Sequence, residues 1–313
     1  LSSSSAASDV YKRQSGTFAN SSYFLEASLF KQTTKFWNVN PSVSWQPTED
    51  LKVDLSANWS KSRFFREQPT WAFQTTPQSG VETYYDNTGG DYPSITSNLD
   101  LNDPNNGSWQ WYRQNIQLVR RKTETKGAHL DVTYGDDMFN VKVGGAYDQA
   151  TRSIRAYDNS TAYQLSVCGT GCTGATGTVP TSAIAQYLRS SSTAGFIVPD
   201  FDALKQATNY ASYRDSAPEA RGAVTGGATG DMDEKVWGAY FELNGVTTIA
   251  GRDLHINTGM RYAHTDQLVV GPSQVGTEIV DITSSSTYEN FLPSINLTYD
   301  VADNVKLRAS ASR

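Results

Sequence analysis

The sequence predicts an all-β protein whose antiparallel strands form part of the wall of a transmembrane β-barrel. Three features predict it. Apolar and polar residues alternate in eight segments, short turns alternate with long polar loops between these segments, and Trp and Tyr gather at the segment ends. Successive side chains of a strand point to opposite faces, so each segment has one apolar and one polar face. The eight segments lie at 37–45, 51–59, 128–134, 139–147, 237–243, 254–262, 295–299 and 305–311.

The connections between the segments fall into two classes. The short turns lie near 47–50, 135–137, 250–253 and 300–304, and the long loops cover 67–122, 158–233 and 270–286. Compact soluble domains seldom contain structureless loops longer than about 15 residues, whereas outer-membrane barrels alternate short periplasmic turns with long extracellular loops. We therefore expect the apolar faces to contact lipid and the polar faces to line a wet interior. A soluble β-sandwich would bury the apolar faces instead.

Composition supports a membrane boundary and argues against nucleic acid as a partner. The 313 residues include 7 Trp and 17 Tyr, side chains that favour the border between apolar and aqueous surroundings. Those at segment ends are Trp37, Trp45, Trp59, Tyr134, Tyr147, Trp237, Tyr262 and Tyr299. The net charge is −6, whereas nucleic-acid binders usually carry a basic footprint. No apolar run reaches the roughly 20 residues of a transmembrane helix.

The two ends of the chain predict a fragment of a longer protein. Residues 1–14 (LSSSSAASDVYKRQ) resemble a translated sequencing-adapter read and lack the features of a signal peptide. We therefore treat 15–313 as the folded part, a partial barrel. The last segment ends in mid-strand, so we expect an open wall and not a closed barrel.

Cys168 and Cys172 are the only cysteines. No His lies beside them and a second ligand pair for zinc is missing. A small disulfide loop is favoured over two free thiols, which indicates an oxidising compartment.

Four segments resemble the late barrel of TonB-dependent outer-membrane receptors. They are 234–244 (EKVWGAYFELN), 257–265 (NTGMRYAHT), 291–300 (FLPSINLTYD) and 305–313 (VKLRASASR). The run 199–205 (PDFDALK) is similar to the branch common in Caulobacter- and Xanthomonas-like bacteria. The resemblance covers most of 34–313, and its motifs belong to the scaffold.

The resemblance implies a barrel of about 22 strands around a plug domain, in the outer membrane of a Gram-negative bacterium. Such receptors capture scarce nutrients at their extracellular loops and import them with energy from the TonB system, which engages a box near the N-terminus. The plug and the box lie outside these residues, and eight strands are roughly a third of such a wall. The implied partners are outer-membrane lipid, lipopolysaccharide, an extracellular ligand and the TonB system. No cofactor is expected.

The long loop 67–122 supplies the candidate ligand-binding residues. Flat aromatic rings beside carboxylates and amides suit a sugar, since the rings stack on its C–H face and the polar groups bind its hydroxyls. The candidates are Trp71, Tyr84, Tyr85, Asp86, Tyr92, Trp109, Trp111 and Arg113. The alternative is that these aromatics pack the loop or extend the membrane girdle.

Other polar groups give weaker signals. Arg113, Arg120, Arg121 and Lys122 form a basic stretch for lipopolysaccharide phosphates, for an anionic ligand, or for solvent alone. The run 98–107 lacks the spacing of a calcium loop, no metal site is expected at the histidines, and no enzyme motif is present.

The favoured function is therefore a nutrient receptor that is not an enzyme, with a neutral oligosaccharide as the preferred ligand. The alternatives are a ferric-siderophore receptor, a small structural outer-membrane barrel and a secreted carbohydrate-binding β-sandwich.

Overall fold

The computed structural model describes residues 15–76, 80–88, 92–106, 109–172, 177–222 and 229–313. It divides into two compact units. Unit 1 comprises Leu1–Lys31, Glu67–Leu118 and Asp158–Pro218, and unit 2 comprises Gln32–Arg66, Val119–Tyr157 and Glu219–Arg313.

Strands make up most of the described chain. They are β1 (Ser15–Ala19), β2 (Phe24–Ser28), β3 (Lys31–Val39), β4 (Ser42–Trp45), β5 (Leu51–Gln74), β6 (Glu82–Asp86), β7 (Ser94–Ser97), β8 (Gln110–Gly135), β9 (Phe139–Asp158), β10 (Leu188–Arg189), β11 (Val198–Pro199), β12 (Gly230–Ile249), β13 (Arg252–Val275), β14 (Glu278–Ala302) and β15 (Val305–Ser312). The α-helices are α1 (Ser160–Cys168), α2 (Phe201–Ala207) and α3 (Tyr210–Asp215), and 3₁₀ turns cover Thr170–Cys172 and Thr181–Tyr187. No helix in the described ranges is both long enough and apolar enough to cross a membrane.

Unit 2 is one antiparallel sheet in the order β15-β14-β13-β12-β9-β8-β5, with β3 and β4 both paired to β5. In the register, Trp237 of β12 lies opposite Tyr147 of β9 on one side and His264 of β13 on the other. All eight alternating segments predicted from the sequence are strands here, the first of them divided between β3 and β4. Among the described residues, β15 pairs only with β14, and β3 and β4 pair only with β5. The predicted open antiparallel wall is thus confirmed for this unit.

One face of the unit 2 sheet is apolar and exposed. Leu55 on β5 is 51% exposed, Leu130 on β8 45%, Val143 on β9 46% and Phe241 on β12 42%. A monomeric soluble protein rarely leaves so extended an apolar surface open to water. Its alternation with polar residues along each strand is typical of the lipid face of a membrane barrel.

The opposite face of the sheet is polar, and its side chains bind one another. An amide ladder of Asn140, Asn244, Asn257 and Asn296 crosses four neighbouring strands. Asn244 Nδ2 donates to Asn140 Oδ1 at 3.0 Å, Asn257 Nδ2 to Asn244 Oδ1 at 2.7 Å, and Asn296 Nδ2 to Asn257 Oδ1 at 2.9 Å. The ladder joins side chains that share a register position, so it favours this register over a shifted one.

A second polar group on the same face links β8, β9 and β12. The hydroxyl of Tyr240 donates to Asp131, and Lys142 Nζ lies 3.7 Å from the other oxygen of that carboxylate. Gly144 makes this contact possible, because a side chain there would collide with the Tyr240 ring and with Asp131. A glycine inside a strand here marks a close approach of two neighbours.

The predicted long loops are much more ordered than expected. Strand β5 extends to Gln74 and β8 begins at Gln110, so both ends of 67–122 are strand, and β6 and β7 lie between them. The segment 158–233 contains the three helices, and 270–286 is a β13–β14 hairpin that turns at 276–277. At 270–286 the structure has paired strands where the sequence predicts a loop, because the prediction recognised strands only by their alternation. Where a strand rises beyond the lipid, both faces meet water and the alternation ends while the backbone pairing continues.

Unit 1 packs short elements around an aromatic core. Strands β1, β6 and β7 form a small antiparallel sheet, and β2 pairs with the Thr70–Gln74 end of β5. The helix α2 begins at Asp200, whose carboxylate accepts from the Ala203 N–H at 3.0 Å. This backbone hydrogen bond lowers the pKa of Asp200. The buried core includes Trp71, Phe73, Trp111, Ile116, Tyr163, Val167, Ile184, Leu204 and Tyr210.

The face assignment of unit 2 is tested by two neighbouring substitutions in the complete protein. Leu55→Asp places a charge on the lipid face and should destabilise membrane assembly, by less than the roughly 2–4 kcal/mol that Arg or Lys costs near the midplane. Ser56→Asp, on the polar face, should leave assembly unchanged. Heat-modifiable gel mobility of the membrane fraction measures both variants, and equal losses would contradict the assignment.

Candidate functional site

The three candidate tryptophans are in the core of unit 1. Trp71 is 0% exposed, Trp109 7% and Trp111 2%. Trp111 stacks on Phe73 with ring centroids 5.0 Å apart, and its Nε1 donates to the Val179 carbonyl at 2.8 Å. The structure therefore favours the alternative in which these rings pack the loop, because their faces are occupied by neighbouring side chains.

Trp71 is the centre of the aromatic cluster. Its ring lies 5.6 Å from that of Phe201, 5.9 Å from that of Tyr210 and 6.5 Å from that of Tyr163. It thereby joins strand β5 to the helices α1, α2 and α3. The residues that the sequence separates by more than 80 positions meet here because edge-to-face and offset contacts between aromatic rings are favourable.

The remaining aromatic candidates lie at the surface, on or beside β6. Tyr84 is 40% exposed and Tyr92 is 86% exposed, whereas Tyr85 is half-buried on the other face of the strand. The Tyr84 hydroxyl donates to Glu82 Oε2 at 2.6 Å, which raises the pKa of Tyr84. The exposed Asp86 carboxylate accepts from the backbone N–H and the hydroxyl of Thr88.

Arg113 is exposed but not free. Its guanidinium forms an ion pair with Glu26 of β2, so its charge is offset locally. An anionic ligand at this point would have to displace a carboxylate.

The cysteines form a disulfide at one end of α1. Cys168 and Cys172 are bonded to each other, and both are buried. The Gln114 side-chain oxygen lies 4.0 Å from Cys168 Sγ and 3.7 Å from Cys172 Sγ, so β8 packs against the helix end.

Unit 1 contains a buried polar cluster that no sequence pattern predicts. Glu67 is only 4% exposed, and its carboxylate lies 3.7 Å from the Arg214 guanidinium. Burial, with the nearby Glu67 carboxylate as the second cause, raises the pKa of the Tyr210 phenol. Burial likewise raises the pKa of Tyr163 to about 12, although its hydroxyl bonds to Thr208. Both phenols therefore stay neutral at physiological pH and act as packing groups.

Unit 2 carries a cleft lined by cations, and the sequence pointed to only some of these cations. Its volume is about 550 Å³, and it collects cations and aromatic rings from β3, β5, β8 and β9. Arg120 and Lys122 come from the basic stretch noted in the sequence. Lys35 and Arg63 are added by strand pairing, which the sequence alone does not reveal. In the described parts of the chain, no group of three or more His, Cys, Asp or Glu residues could hold a metal ion.

A family model described as TonB dependent receptor-like, beta-barrel matches residues 65–313. The chain belongs to this family. TonB-dependent receptors are transporters and not enzymes, and the family resides in the outer membrane of Gram-negative bacteria. No curated protein matches the sequence.

Several solved structures of TonB-dependent transporters are similar to the chain at low identity. The copper transporter OprC is 14% identical, with 93% of this chain and 40% of that chain covered and a TM-score of 0.36. The unliganded ferric citrate transporter FecA is 12% identical, with 92% and 39% covered and a TM-score of 0.38. The siderophore receptor PiuA from Acinetobacter baumannii is 11% identical, with 95% and 46% covered and a TM-score of 0.31. The chain thus spans less than half the length of each.

The placement of the aromatic residues predicts different effects on stability when a buried or an exposed ring is replaced by alanine. Trp71→Ala should destabilise unit 1 by about 3–5 kcal/mol, since it removes a fully buried ring from the core. Tyr92→Ala should leave stability within about 0.5 kcal/mol, because the ring is in solvent. Hydrogen exchange of the α1 and α2 amides in the complete receptor measures both. Unchanged protection in the Trp71 variant would contradict the core assignment.

Proposed function

We propose that this chain is part of an outer-membrane receptor that binds a scarce extracellular nutrient and imports it. Membership of the TonB-dependent receptor family carries the proposal. The exposed apolar face of unit 2 supports it, because lipid is the surrounding that such a face requires. The TonB system is the proposed energy source, acting through a plug and an N-terminal box in the remainder of the receptor. Outer-membrane lipid and lipopolysaccharide are the proposed surroundings of the strands.

For the ligand we propose a neutral oligosaccharide. The binding surface in this proposal consists of Tyr84, Tyr85, Asp86 and Tyr92, since the three tryptophans are occupied in the core. An exposed tyrosine offers a flat face for a sugar ring and a hydroxyl for its polar edge. Asp86 and the amides nearby accept and donate to sugar hydroxyls.

Charge favours a neutral ligand over an anionic one. Across 67–118 and 158–218, acidic residues outnumber basic ones by ten to four. Clefts gain association rate by opposing the charge of their ligand, so an acidic surface is a poor trap for an anionic chelate. Arg113 could offset this acidic charge locally, but its own charge is neutralised by the ion pair with Glu26.

A ferric siderophore is the second candidate ligand. It is supported by Arg113, if the ligand displaces Glu26, and by the transporter family as a whole. A secreted β-sandwich and a small structural barrel receive less support, because the former would bury the apolar face and neither is a TonB-dependent receptor.

The ligand proposal is tested by titrating the complete receptor in detergent with linear neutral oligosaccharides and, separately, with ferric chelates. Tyr84→Ala and Tyr92→Ala should each weaken oligosaccharide binding about tenfold, which corresponds to about 1.4 kcal/mol. Tyr84→Phe retains the ring and should retain most of the affinity.

Leu165→Ala is the matched control, because Leu165 is 56% exposed in unit 1 but belongs to α1. Its affinity should equal that of the unaltered receptor. Oligosaccharide binding that survives both tyrosine variants, together with tight binding of a ferric chelate, would favour the siderophore alternative.

A further inference from the structure

We propose that the cleft of unit 2 binds the phosphate groups of lipopolysaccharide at the outer edge of the membrane. The site consists of Lys35, Arg63, Arg120 and Lys122, with Phe65 and Tyr157 as its aromatic walls. The inference rests on the proposed membrane location of the receptor. It adds a specific lipid site, whose residues are not those of the nutrient-binding surface.

The first argument is the face of the sheet on which the cations lie. Along β8, Arg120 and Lys122 have the same parity as the exposed Leu130, and along β5, Arg63 has the parity of Leu55. Side chains of equal parity share a face of a strand. The cations therefore continue the apolar face outward and do not belong to the polar face that carries the amide ladder.

The second argument is the height of the cations relative to the aromatic band. Trp59 marks the end of the alternating part of β5, and its Nε1 donates to Glu124 of β8 at 3.2 Å. Arg63 lies four residues farther along β5. At about 3.3 Å per residue and a tilt of about 45°, this is about 9 Å beyond the tryptophan. Headgroup phosphates occupy that depth, just outside the hydrocarbon core.

The third argument is that no close ion pair neutralises the cations of the cleft within the described residues. Lys61 pairs with Glu124 at 3.5 Å, and Arg155 pairs with Asp231 at 2.8 Å and with Glu219 at 3.7 Å. Within the described residues, Lys35, Arg63 and Arg120 have no such carboxylate, and Lys122 interacts with Glu124 only at longer range. All four are exposed. A cleft in which cations are concentrated and not neutralised attracts anions from outside the chain.

The fourth argument is the way in which the arginines are held. The Arg120 guanidinium lies 5.0 Å from the Tyr157 ring centre and 6.0 Å from that of Phe65, and Arg63 lies 5.8 Å from the Trp37 ring. Stacking fixes the plane of a guanidinium and leaves its N–H edge available. Planar arginines with free edges suit bidentate binding of phosphate. The apolar residues below the cleft suit the acyl chains of the same molecule.

The test compares two charge-removing variants of the complete receptor in lipid nanodiscs that contain hexa-acylated lipid A. Arg120→Gln removes a cation of the cleft. Arg152→Gln removes an exposed cation from the neighbouring strand β9, but on the polar face. We expect Arg120→Gln to reduce the lipid A retained on the receptor, measured by native mass spectrometry, about tenfold. Arg152→Gln should change it less than twofold, and Arg120→Lys should be intermediate.

Two further arms identify the source of the phosphate. Dephosphorylated lipid A should be retained as weakly by the unaltered receptor as intact lipid A is by Arg120→Gln. Inorganic phosphate at millimolar concentration should not displace bound lipid A. Equal losses in the two arginine variants, full retention of dephosphorylated lipid A, or displacement by inorganic phosphate would each overturn the proposal.

Failure of the lipid-site proposal can be distinguished from failure of the proposed function. Heat-modifiable mobility and ligand titration of Arg120→Gln should match those of the unaltered receptor, since Arg120 is not among the residues of the proposed nutrient-binding surface. A receptor that fails to enter membranes at all would refute the proposed function. A receptor that assembles, binds its nutrient and ignores lipid A would refute only the lipid site.

Discussion

The fold of unit 2 depends on one constraint: a backbone surrounded by hydrocarbon must find all its hydrogen-bond partners within the protein. An unpaired N–H or C=O in lipid costs several kcal/mol, so only helices and paired strands cross a bilayer. Long antiparallel strands meet the constraint here, with every residue of β12 between Asp231 and Gly245 paired on both sides. The alternation of side chains follows from this choice. Once the backbone is a strand, every second side chain faces lipid and must be apolar. The side chains between them are on the other face, where they bind one another.

The same constraint explains why the polar face is so thoroughly bonded to itself. Side chains that face away from lipid lie close together on one face of the sheet, and their donors and acceptors match across strands. His129 with Asp148, Ser60 with Thr125, and Tyr240 with Asp131 are such pairs. Where the strands pass beyond the aromatic band, the requirement for apolar residues ends. There the outward positions become basic, as at Arg63 and Arg120.

The sequence was sufficient for the strands that contact lipid, because a two-residue period is imposed there at each position. It was insufficient for 270–286 and for the ends of 67–122, where pairing is determined by the neighbouring strand and leaves no period. The candidate binding residues divide in the same way. Tyr84 and Tyr92 are at the surface as the loop composition predicts, but Trp71, Trp109 and Trp111 are in a core that forms only with α1, α2 and α3. The residue types identified the aromatic rings of the loop as candidates. Only tertiary contacts distinguish a ring that packs in the core from one that is exposed at the surface. Lys35 and Arg63 reach the cleft only through the pairing of their strands, which the sequence does not reveal.

The amide ladder has a mechanical consequence. Its hydrogen bonds run across the strands from Asn140 to Asn296, so they are loaded in shear when one strand is pulled along its own axis. A force applied to the polar face at β12 is thereby distributed over β9, β13 and β14 and does not act on a single pair of strands. Amides in such a chain also polarise one another, which strengthens each bond. The wall is therefore stiff against sliding near its short turns. Farther from the turns, separate pairs join the strands, such as Gln149 with Asp233 and Gln267 with Glu234, so the load there is carried pair by pair.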